Sequence, residues 1–571
     1  MKVQLLFEKH LNRGRKKKSF FLLGLLFLLG KTVVAQDTFY GYLKKDTLIM
    51  GNNRIERTFL WNNGNLITHT LTDKTNRYSW RNTSRTPDFQ LNKELVEAEK
   101  ASVDIVRVAQ TTIHPAYLQI EVKFALRQLQ VKRVYKVYND CPAIACNTYL
   151  KGNVSILGKS EELNNADRKN IEFLEDMQIN QTASTLDKLN FKGQHWNVDC
   201  IEFFDATDWN NNLVVERNFL SYRKNHYRGN LLQVRENISK NGFFFLKEAP
   251  CSNVQLAYPE AVDKLVALRT YQKQIRRLLP QRDEMIMMNT WGDRSQDSKV
   301  NEAFCLRELE RAVQLGITHF QIDDGWQTGK SPNSAVAKGS FKDIWSNPDY
   351  WTPDKSKYPR GLSPIIKRGK ELGIDIALWF NPSIQDNFAD WKKDAEAIIR
   401  LYKEYGICIF KIDGLSIPTK EAEMNLHRLF DYVLAETDNQ VVFNLDATAG
   451  RRGGYHTFNR YGNIFLENRY TDWQNYYPYW TLRNLWQLSK YVPAEKLQIE
   501  FLNKWRNEKK YANDPFGPAN YSFEYLFAIT MAGQPLAWME GTNLPQEALL
   551  LREQVEKYRG FQHDFHQGII L

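Results

Sequence analysis

The chain has 571 residues, of which 43% are hydrophobic and 25% charged, and this composition excludes a fibrous or largely disordered protein. A chain of this length is expected to form two or three domains. The net charge of +11 is concentrated at the N-terminus, where residues 1–35 contain eight Lys and Arg and one Glu. These residues contribute +7, and the +4 that remains gives no indication of nucleic-acid binding.

The first 35 residues have the three parts of a secretory signal peptide. A basic stretch at residues 13–18 precedes the apolar run Ser19–Leu29, and Ala35 offers a small residue for cleavage before Gln36. The apolar run is short for a membrane-spanning helix, so we expect no stable membrane span once the peptide is removed. The sequence therefore predicts a periplasmic or extracellular protein, with an uncleaved N-terminal anchor as the alternative.

Residues 36–265 have the pattern of an antiparallel β-sandwich. Arg54–Trp61 and Leu66–Leu71 flank a short turn that contains Gly64, as in a β-hairpin. Leu118–Phe124 alternates apolar and polar residues, and Val131–Tyr138 continues the pattern. Strands with one apolar and one polar face are typical of two antiparallel sheets packed together.

Residues 266–560 repeat a different unit, which makes the predicted fold class α/β plus all-β. Three times a helical pattern ends near a glycine, at Gly316, Gly373 and Gly406, and a strand begins at once. Eight such strands predict a (β/α)₈ TIM barrel; an open doubly wound sheet is the alternative, but it would usually carry a Gly-rich nucleotide loop. The strand candidates are Met285–Trp291, Thr318–Asp323, Asp375–Phe380, Ile407–Asp413, Val441–Asp446, Asn463–Glu467, Leu497–Leu502 and Pro535–Glu540.

Most of the predicted barrel strands end in polar or aromatic side chains. Two apolar strands stop at carboxylates followed by glycine, in Asp323-Asp324-Gly325 and in Asp413-Gly414. Because an unpaired carboxylate is costly in an apolar core, we expect these acids in a pocket at the C-terminal ends of the strands. Carboxylates, a Lys and several Trp suit a neutral sugar, which offers both hydroxyls and C–H faces. The sequence shows no phosphate-binding loop and no metal-ligand spacing, so no metal and no cofactor are predicted.

These motifs resemble the melibiase clan of glycoside hydrolases, nearest to family 36, which holds α-galactosidases and raffinose-synthase-like proteins. The motifs are Asn289-Thr-Trp291, Asp323-Asp324-Gly-Trp326, Leu378-Trp379 and Lys411-Ile-Asp413, with an acid after the sixth strand. The resemblance implies an exported retaining α-glycosidase that releases a terminal α-linked sugar from an oligosaccharide or polysaccharide.

The same resemblance implies roles for individual residues. Asp413 would be the nucleophile and Asp472 the acid/base, with Glu467 as the alternative acid. Asp323 and Asp324 would bind sugar hydroxyls, and Lys411 would contact hydroxyls beside the scissile carbon. The full set implied to bind substrate is Asp323, Asp324, Trp326, Trp291, Trp379, Asn381, Lys411, Asp446, Glu467 and Arg469.

The chain departs from the family pattern at two places near the substrate. Asn381-Pro382 stands where the family usually has Glu-Pro, and a segment that begins at Asp446 replaces the family's Cys-x-Gly-Gly-Gly at the sugar's 2-position. Galactose, N-acetylgalactosamine and a pentopyranose therefore stay open as the sugar. The sequence also leaves open a transglycosylase that passes the sugar to a second saccharide, and a non-catalytic sugar-binding barrel. The family's small C-terminal β domain is expected to be absent or reduced to a start within residues 561–571.

Overall fold

The computed structural model describes residues 38–570 with several gaps. These are residues 76, 82–84, 86, 90–95, 128, 153–213, 221–230, 238–241, 249–251, 259–262, 294, 416, 418–419, 447–457, 467–476 and 490–491. The predicted signal segment, residues 1–35, lies outside the described residues. Among the described residues, no helix combines the length and apolar character that crossing a membrane requires.

The first sheet has five antiparallel strands in sequence order. The predicted hairpin is formed by its third and fourth strands, which are joined by the 3₁₀ turn Asn62–Gly64. The strands are β1 (Tyr40–Lys44), β2 (Thr47–Gly51), β3 (Ile55–Leu60), β4 (Ile67–Asp73) and β5 (Tyr78–Arg81).

The second sheet has eight antiparallel strands in the order β10-β11-β12-β13-β9-β8-β7-β6. Its strands are β6 (Glu99–Val108), β7 (Tyr117–Leu126), β8 (Leu129–Tyr138), β9 (Ala143–Gly152), β10 (Val214–Leu220), β11 (Leu231–Asn237), β12 (Gly242–Glu248) and β13 (Ser252–Tyr258). Alternate residues of β7, among them Ile120 and Val122, are buried in a core shared with the first sheet. The Phe59 and Tyr135 rings, one from each sheet, lie 5.5 Å apart. The prediction of packed antiparallel sheets is confirmed.

Eight parallel strands then form a closed barrel, as predicted. They are β14 (Met287–Asn289), β15 (His319–Ile322), β16 (Asp375–Phe380), β17 (Ile409–Ile412), β18 (Val442–Asp446), β19 (Gly462–Leu466), β20 (Leu497–Glu500) and β21 (Gln534–Ala537). The last strand pairs with the first and closes the sheet. Side chains alternate along each strand, so Ile409 lies in the barrel interior while Phe410 and Ile412 pack in the outer core beneath the helices. The same alternation turns Lys411 and Asp413 toward the interior.

The described helices are α1 (Asp263–Ile275), α2 (Pro280–Asp283), α3 (Glu302–Gln314), α4 (Ser363–Leu372), α5 (Trp391–Tyr405), α6 (Lys420–Glu436), α7 (Pro478–Ser489), α8 (Phe523–Ala528) and α9 (Leu551–Gln567). Six of them, α3 to α8, connect strands of the barrel, while α1 and α2 precede its first strand and α9 follows its last. The three predicted helix–glycine–strand units are present: α3, α4 and α5 end just before Gly316, Gly373 and Gly406.

The end of the chain is helical. The sequence leaves the C-terminal β domain absent or reduced to a start within residues 561–571, and α9 continues through Gln567. The reason is a helical apolar pattern, in which Leu551, Val555 and Tyr558 are buried against the core.

Candidate active site

Asp413 follows the fourth barrel strand and is held in a defined orientation. Its Oδ1 accepts a hydrogen bond from the Gly414 backbone N–H at 2.6 Å, and its Oδ2 accepts one from Trp379 Nε1 at 3.2 Å. Its own N–H donates to Phe380 O at 2.9 Å, which continues the pairing with the neighbouring strand. Asp413 is partly exposed, whereas Lys411 and Ile412 before it are buried. Asp413 is therefore an oriented carboxylate with access to the space above the barrel.

Lys411, on β17, lies between two buried carboxylates, Asp323 after β15 and Asp446 at the end of β18. Its Nζ is 3.0 Å from Asp323 Oδ2 and 3.7 Å from Asp446 Oδ2. The ammonium is also 4.3 Å from the Phe465 ring centroid and 5.0 Å from that of Trp538. All three charged residues are at most 2% exposed, so water screens their attraction little. The cluster thus places one cation and two acids close to the end of the strand that carries Asp413.

Asp323 is fixed by further donors from its own strand and from the neighbouring strand β14. Its Oδ2 also accepts hydrogen bonds from Asn289 Nδ2 at 2.7 Å and from Gln321 Nε2 at 3.2 Å. Its Oδ1 accepts the backbone N–H of Asp324 at 2.9 Å. With Lys411, three side-chain donors converge on one oxygen. The remaining capacity of this carboxylate to bind a sugar hydroxyl is therefore on Oδ1.

Asp324 is bound to the loop that follows it. Gln327 Nε2 donates to its Oδ1 at 2.7 Å, and Ser331 Oγ donates to its Oδ2. Burial raises the pKa of the Asp324 carboxyl from 3.8 to about 7, although both hydrogen bonds oppose the shift. The two adjacent acids thus have different surroundings, Asp323 facing Lys411 and Asp324 facing neutral donors.

Three tryptophans pack together, and one of them, Trp379, contacts Asp413. Trp379 is 1% exposed and donates to Asp413, and Trp326, also fully buried, donates from Nε1 to Trp379 O at 2.8 Å. Trp351 lies against both, with ring centroids 6.1 Å from Trp326 and 5.7 Å from Trp379. Trp291, 9% exposed, lies in the interior core of the barrel. Trp379 and Trp326 thus position Asp413, a role that the sequence motifs do not reveal.

Asn381 is packed beside the nucleophile candidate. It is 1% exposed, and its Nδ2 donates to Pro382 O at 2.8 Å. A Cβ atom added to Gly414 would lie 2.4 Å from Asn381 Oδ1. The predicted contact of Asn381 with substrate is not tested by these distances, which show instead that Asn381 limits the space next to Asp413.

Comparison with known proteins shows what the first part of the barrel is similar to. Residues 263–403 match the melibiase family model. The α-galactosidase of Escherichia coli is 29% identical over 169 residues, which cover 29% of this chain and 21% of that protein. The α-galactosidase AgaA of Geobacillus stearothermophilus is 28% identical over 103 residues, covering 18% of this chain and 12% of that protein. Residues 263–403 therefore match the melibiase model, and parts of the chain are similar to α-galactosidases.

Solved structures of the family share the fold. A crystal structure of the family 36 α-galactosidase AgaA from Geobacillus stearothermophilus aligns with 92% of this chain and 87% of that chain, with a TM-score of 0.56 and 12% identity. The galactosidase domain of the α-galactosidase-sucrose kinase AgaSK aligns with 93% of this chain and 87% of that chain, with a TM-score of 0.55 and 11% identity. At such identities the likeness establishes the architecture. The sequence matches to the two curated relatives span about a fifth of their length or less.

The second carboxylate expected in this family lies outside the described residues. Glu467, Arg469 and Asp472 all fall in the gap at residues 467–476, directly after β19. In the barrel, β17, which precedes Asp413, is followed by β18, which carries Asp446, and then by β19. The assignment of the acid/base therefore stays a prediction. Among the described residues, no group of His, Cys, Asp and Glu is arranged to hold a metal ion.

Gly414 offers a test of the packing beside Asp413. We expect Gly414→Ala to lower activity and to destabilise the protein by about 1–3 kcal/mol more than Gly373→Ala. Both glycines have left-handed backbone, with φ of +66° and +70°, so both variants incur a conformational cost of about 1 kcal/mol. At Gly373 nothing lies within 4 Å of the added Cβ, whereas at Gly414 it meets Asn381.

Urea unfolding of both variants measures the stability difference, and turnover of an aryl α-glycoside measures the effect on Asp413. Equal destabilisation by the two substitutions would contradict the close packing of Asn381 against Gly414. Adding Asn381→Ala should return the Gly414→Ala variant toward the stability of Asn381→Ala alone, because the overlap is then removed.

Proposed function

We propose that the protein is an exported, retaining α-glycosidase, α-galactosidase-like, that hydrolyses a terminal α-linked sugar from an oligosaccharide or polysaccharide. The observation that supports this most is the orientation of Asp413, a partly exposed carboxylate that accepts hydrogen bonds from two donors at the end of the fourth barrel strand. A nucleophile must approach the anomeric carbon along a fixed line, and two hydrogen bonds on different oxygens restrict its rotation.

The reaction would proceed by double displacement. Asp413 attacks the anomeric carbon, forms a glycosyl-enzyme and releases the leaving-group oxygen, which takes a proton from a second carboxylic acid. Water, deprotonated by that same carboxylate, then attacks the anomeric carbon and frees Asp413. Asp472 is the proposed acid/base and Glu467 the alternative; retention would place its carboxyl about 5–5.5 Å from that of Asp413.

The buried charges support binding of the sugar ring. Asp323 and Asp446 offer acceptors and Lys411 offers a donor, and the lysine offsets part of the negative charge of the two carboxylates. Hydroxyl groups can bind to such oriented groups without reorganising them. A neutral sugar is therefore a better fit than a phosphate, which would meet two carboxylates.

Asp446 supports a second candidate, an α-glycosidase for another sugar such as N-acetylgalactosamine or a pentopyranose. Its carboxylate points toward Lys411 at a place where the family pattern has a Cys-containing segment. A charged acceptor at that place changes which substituent on the sugar can be bound.

The proposal also specifies the acceptor: the glycosyl group is transferred to water, and not to a second sugar.

A panel of aryl α- and β-glycosides tests the proposal. We expect cleavage of one α-glycoside, with the α-anomer of the free sugar appearing first in the NMR spectrum, because two inversions restore the configuration. Initial appearance of the β-anomer would refute double displacement, and cleavage of none of the glycosides would refute the hydrolase. Analysis of products at high sugar concentration separates hydrolysis from transfer.

A further inference from the structure

Exposed aromatic side chains are concentrated on two segments of the barrel. Of the seven strongly exposed aromatic residues in the described part of the chain, four lie between residues 479 and 525. Tyr479 is 52% exposed, Phe516 62% and Tyr525 40%. Burying such rings is worth a large apolar free energy, so a concentration of exposed rings on one region indicates a binding surface.

The two segments are joined into one surface by Asp514. The Tyr477 hydroxyl donates to Asp514 Oδ2 at 2.8 Å, and the Phe516 N–H donates to Asp514 Oδ1 at 3.0 Å. The Tyr477 ring is stacked with that of Tyr479, 5.7 Å apart with an angle of 12° between the planes. The backbone of Phe516 and the Tyr477 hydroxyl are therefore held by the same carboxylate.

A second stacked pair extends this surface. The rings of Tyr521 and Tyr525 are 5.3 Å apart at 17°, and Asn520 Nδ2 donates to Asp514 O at 2.8 Å. Five aromatic residues together form what we call the aromatic ridge: Tyr477, Tyr479, Phe516, Tyr521 and Tyr525.

The aromatic ridge lies at the same end of the barrel as Asp413. Its residues belong to segments that leave the C-terminal ends of β19 and β20. Arg506, in the second segment, forms an ion pair with Asp293, which follows β14. Asp293 Oδ2 also accepts a hydrogen bond at 2.8 Å from the backbone N–H of Glu540, which follows β21. Since Glu540 and Asp293 follow the eighth and first strands, which are the next two strands after β20 around the barrel, this segment is held at that part of the barrel rim. Tyr477 directly follows the segment that contains the proposed acid/base Asp472.

We propose that the aromatic ridge binds the saccharide chain on the leaving-group side of the cleaved bond. The inference rests on the proposed function and specifies its substrate as a saccharide longer than a disaccharide. Flat tyrosine pairs match the C–H faces of sugar rings, and Asp514, Asn520 and the tyrosine hydroxyls supply partners for sugar hydroxyls. The ridge lies on segments that leave the same end of the barrel as Asp413, the end from which a saccharide would enter.

The test compares a short and a long substrate. For the double variant Tyr479→Ala, Phe516→Ala, we expect kcat/KM on an α-galactosyl-substituted mannan to fall by about tenfold or more, while kcat/KM on an aryl α-galactoside stays within about twofold. Phe561→Ala is the matched control, because Phe561 is 59% exposed on α9, outside the ridge, and should affect neither substrate. Equal losses on both substrates, or no loss on the mannan, would overturn the proposal.

A binding measurement separates this proposal from the proposed function. In affinity electrophoresis with the same mannan, wild-type protein should be retarded and the double variant should migrate freely, whether or not either cleaves it. Failure of the proposed function appears instead as no cleavage by the wild type. The proposal is wrong if the wild type is a dimer, the double variant is a monomer, and the mannan retards both equally. In that case a second copy of the chain covers the ridge.

Discussion

We expect Asp413→Asn to lower kcat on an aryl α-glycoside by at least about 10³-fold, which corresponds to about 4 kcal/mol of transition-state stabilisation. The amide keeps the shape and one acceptor, so the contacts with Trp379 and Gly414 can persist in part. It cannot form the glycosyl-enzyme, because a neutral amide is a poor nucleophile. Steady-state kinetics on the substrate that the wild type cleaves best measures the effect.

Two controls distinguish a nucleophile from a structural acid. Asp375→Asn makes the same change at the opposite end of the barrel, where the side chain is 76% exposed, and should leave kcat within about twofold. For Asp413→Ala, added azide should restore turnover and give the β-glycosyl azide, since the small anion attacks from the side that the carboxylate vacated. Full activity of Asp413→Asn, or a fall in its unfolding midpoint that accounts for the loss, would contradict the assignment.

The architecture could be predicted because its signals are local. Each helix–glycine–strand unit is contained within about 20 residues, and the apolar strands at Phe320 and Phe410 are bounded by Gly and Asp. Boundaries are less accurate: the sequence predicts the fourth strand at Ile407–Asp413, and the strand is Ile409–Ile412. At the C-terminus the sequence leaves a β domain absent or reduced to a start within residues 561–571, and the helical spacing of the buried residues there accounts for α9.

The sequence predicts which charged residues form the site, but it does not predict which side chains contact each other there. Asp323, Lys411 and Asp413 are recognisable as charges at strand ends, and strand alternation turns all of them inward. Their partners come from other strands, so the sequence does not show that Trp379 donates to Asp413 or that Asp446 approaches Lys411. A polar residue in an apolar strand, as at Gln321, was the available signal for a supporting donor.

Lys411→Met should be among the most destabilising single substitutions in the barrel, with a loss of about 3–5 kcal/mol. Methionine fills nearly the same volume and suits the neighbouring Phe465 and Trp538 rings, so packing changes little. The loss arises because Asp323 and Asp446 are left buried without the cation between them. Urea unfolding followed by tryptophan fluorescence measures the change in the free energy of unfolding.

The matched control and a double substitution isolate the charge effect. Lys392→Met removes a lysine that is 62% exposed and 4.0 Å from Glu396, and should cost about 0–1 kcal/mol because solvent screens that pair. Adding Asp446→Asn to Lys411→Met should recover part of the loss, since one of the two buried charges is then neutral. If Lys411→Met is no less stable than Lys392→Met, the three charged groups do not form a mutually compensating cluster, and binding of sugar hydroxyls at fixed charges loses its support.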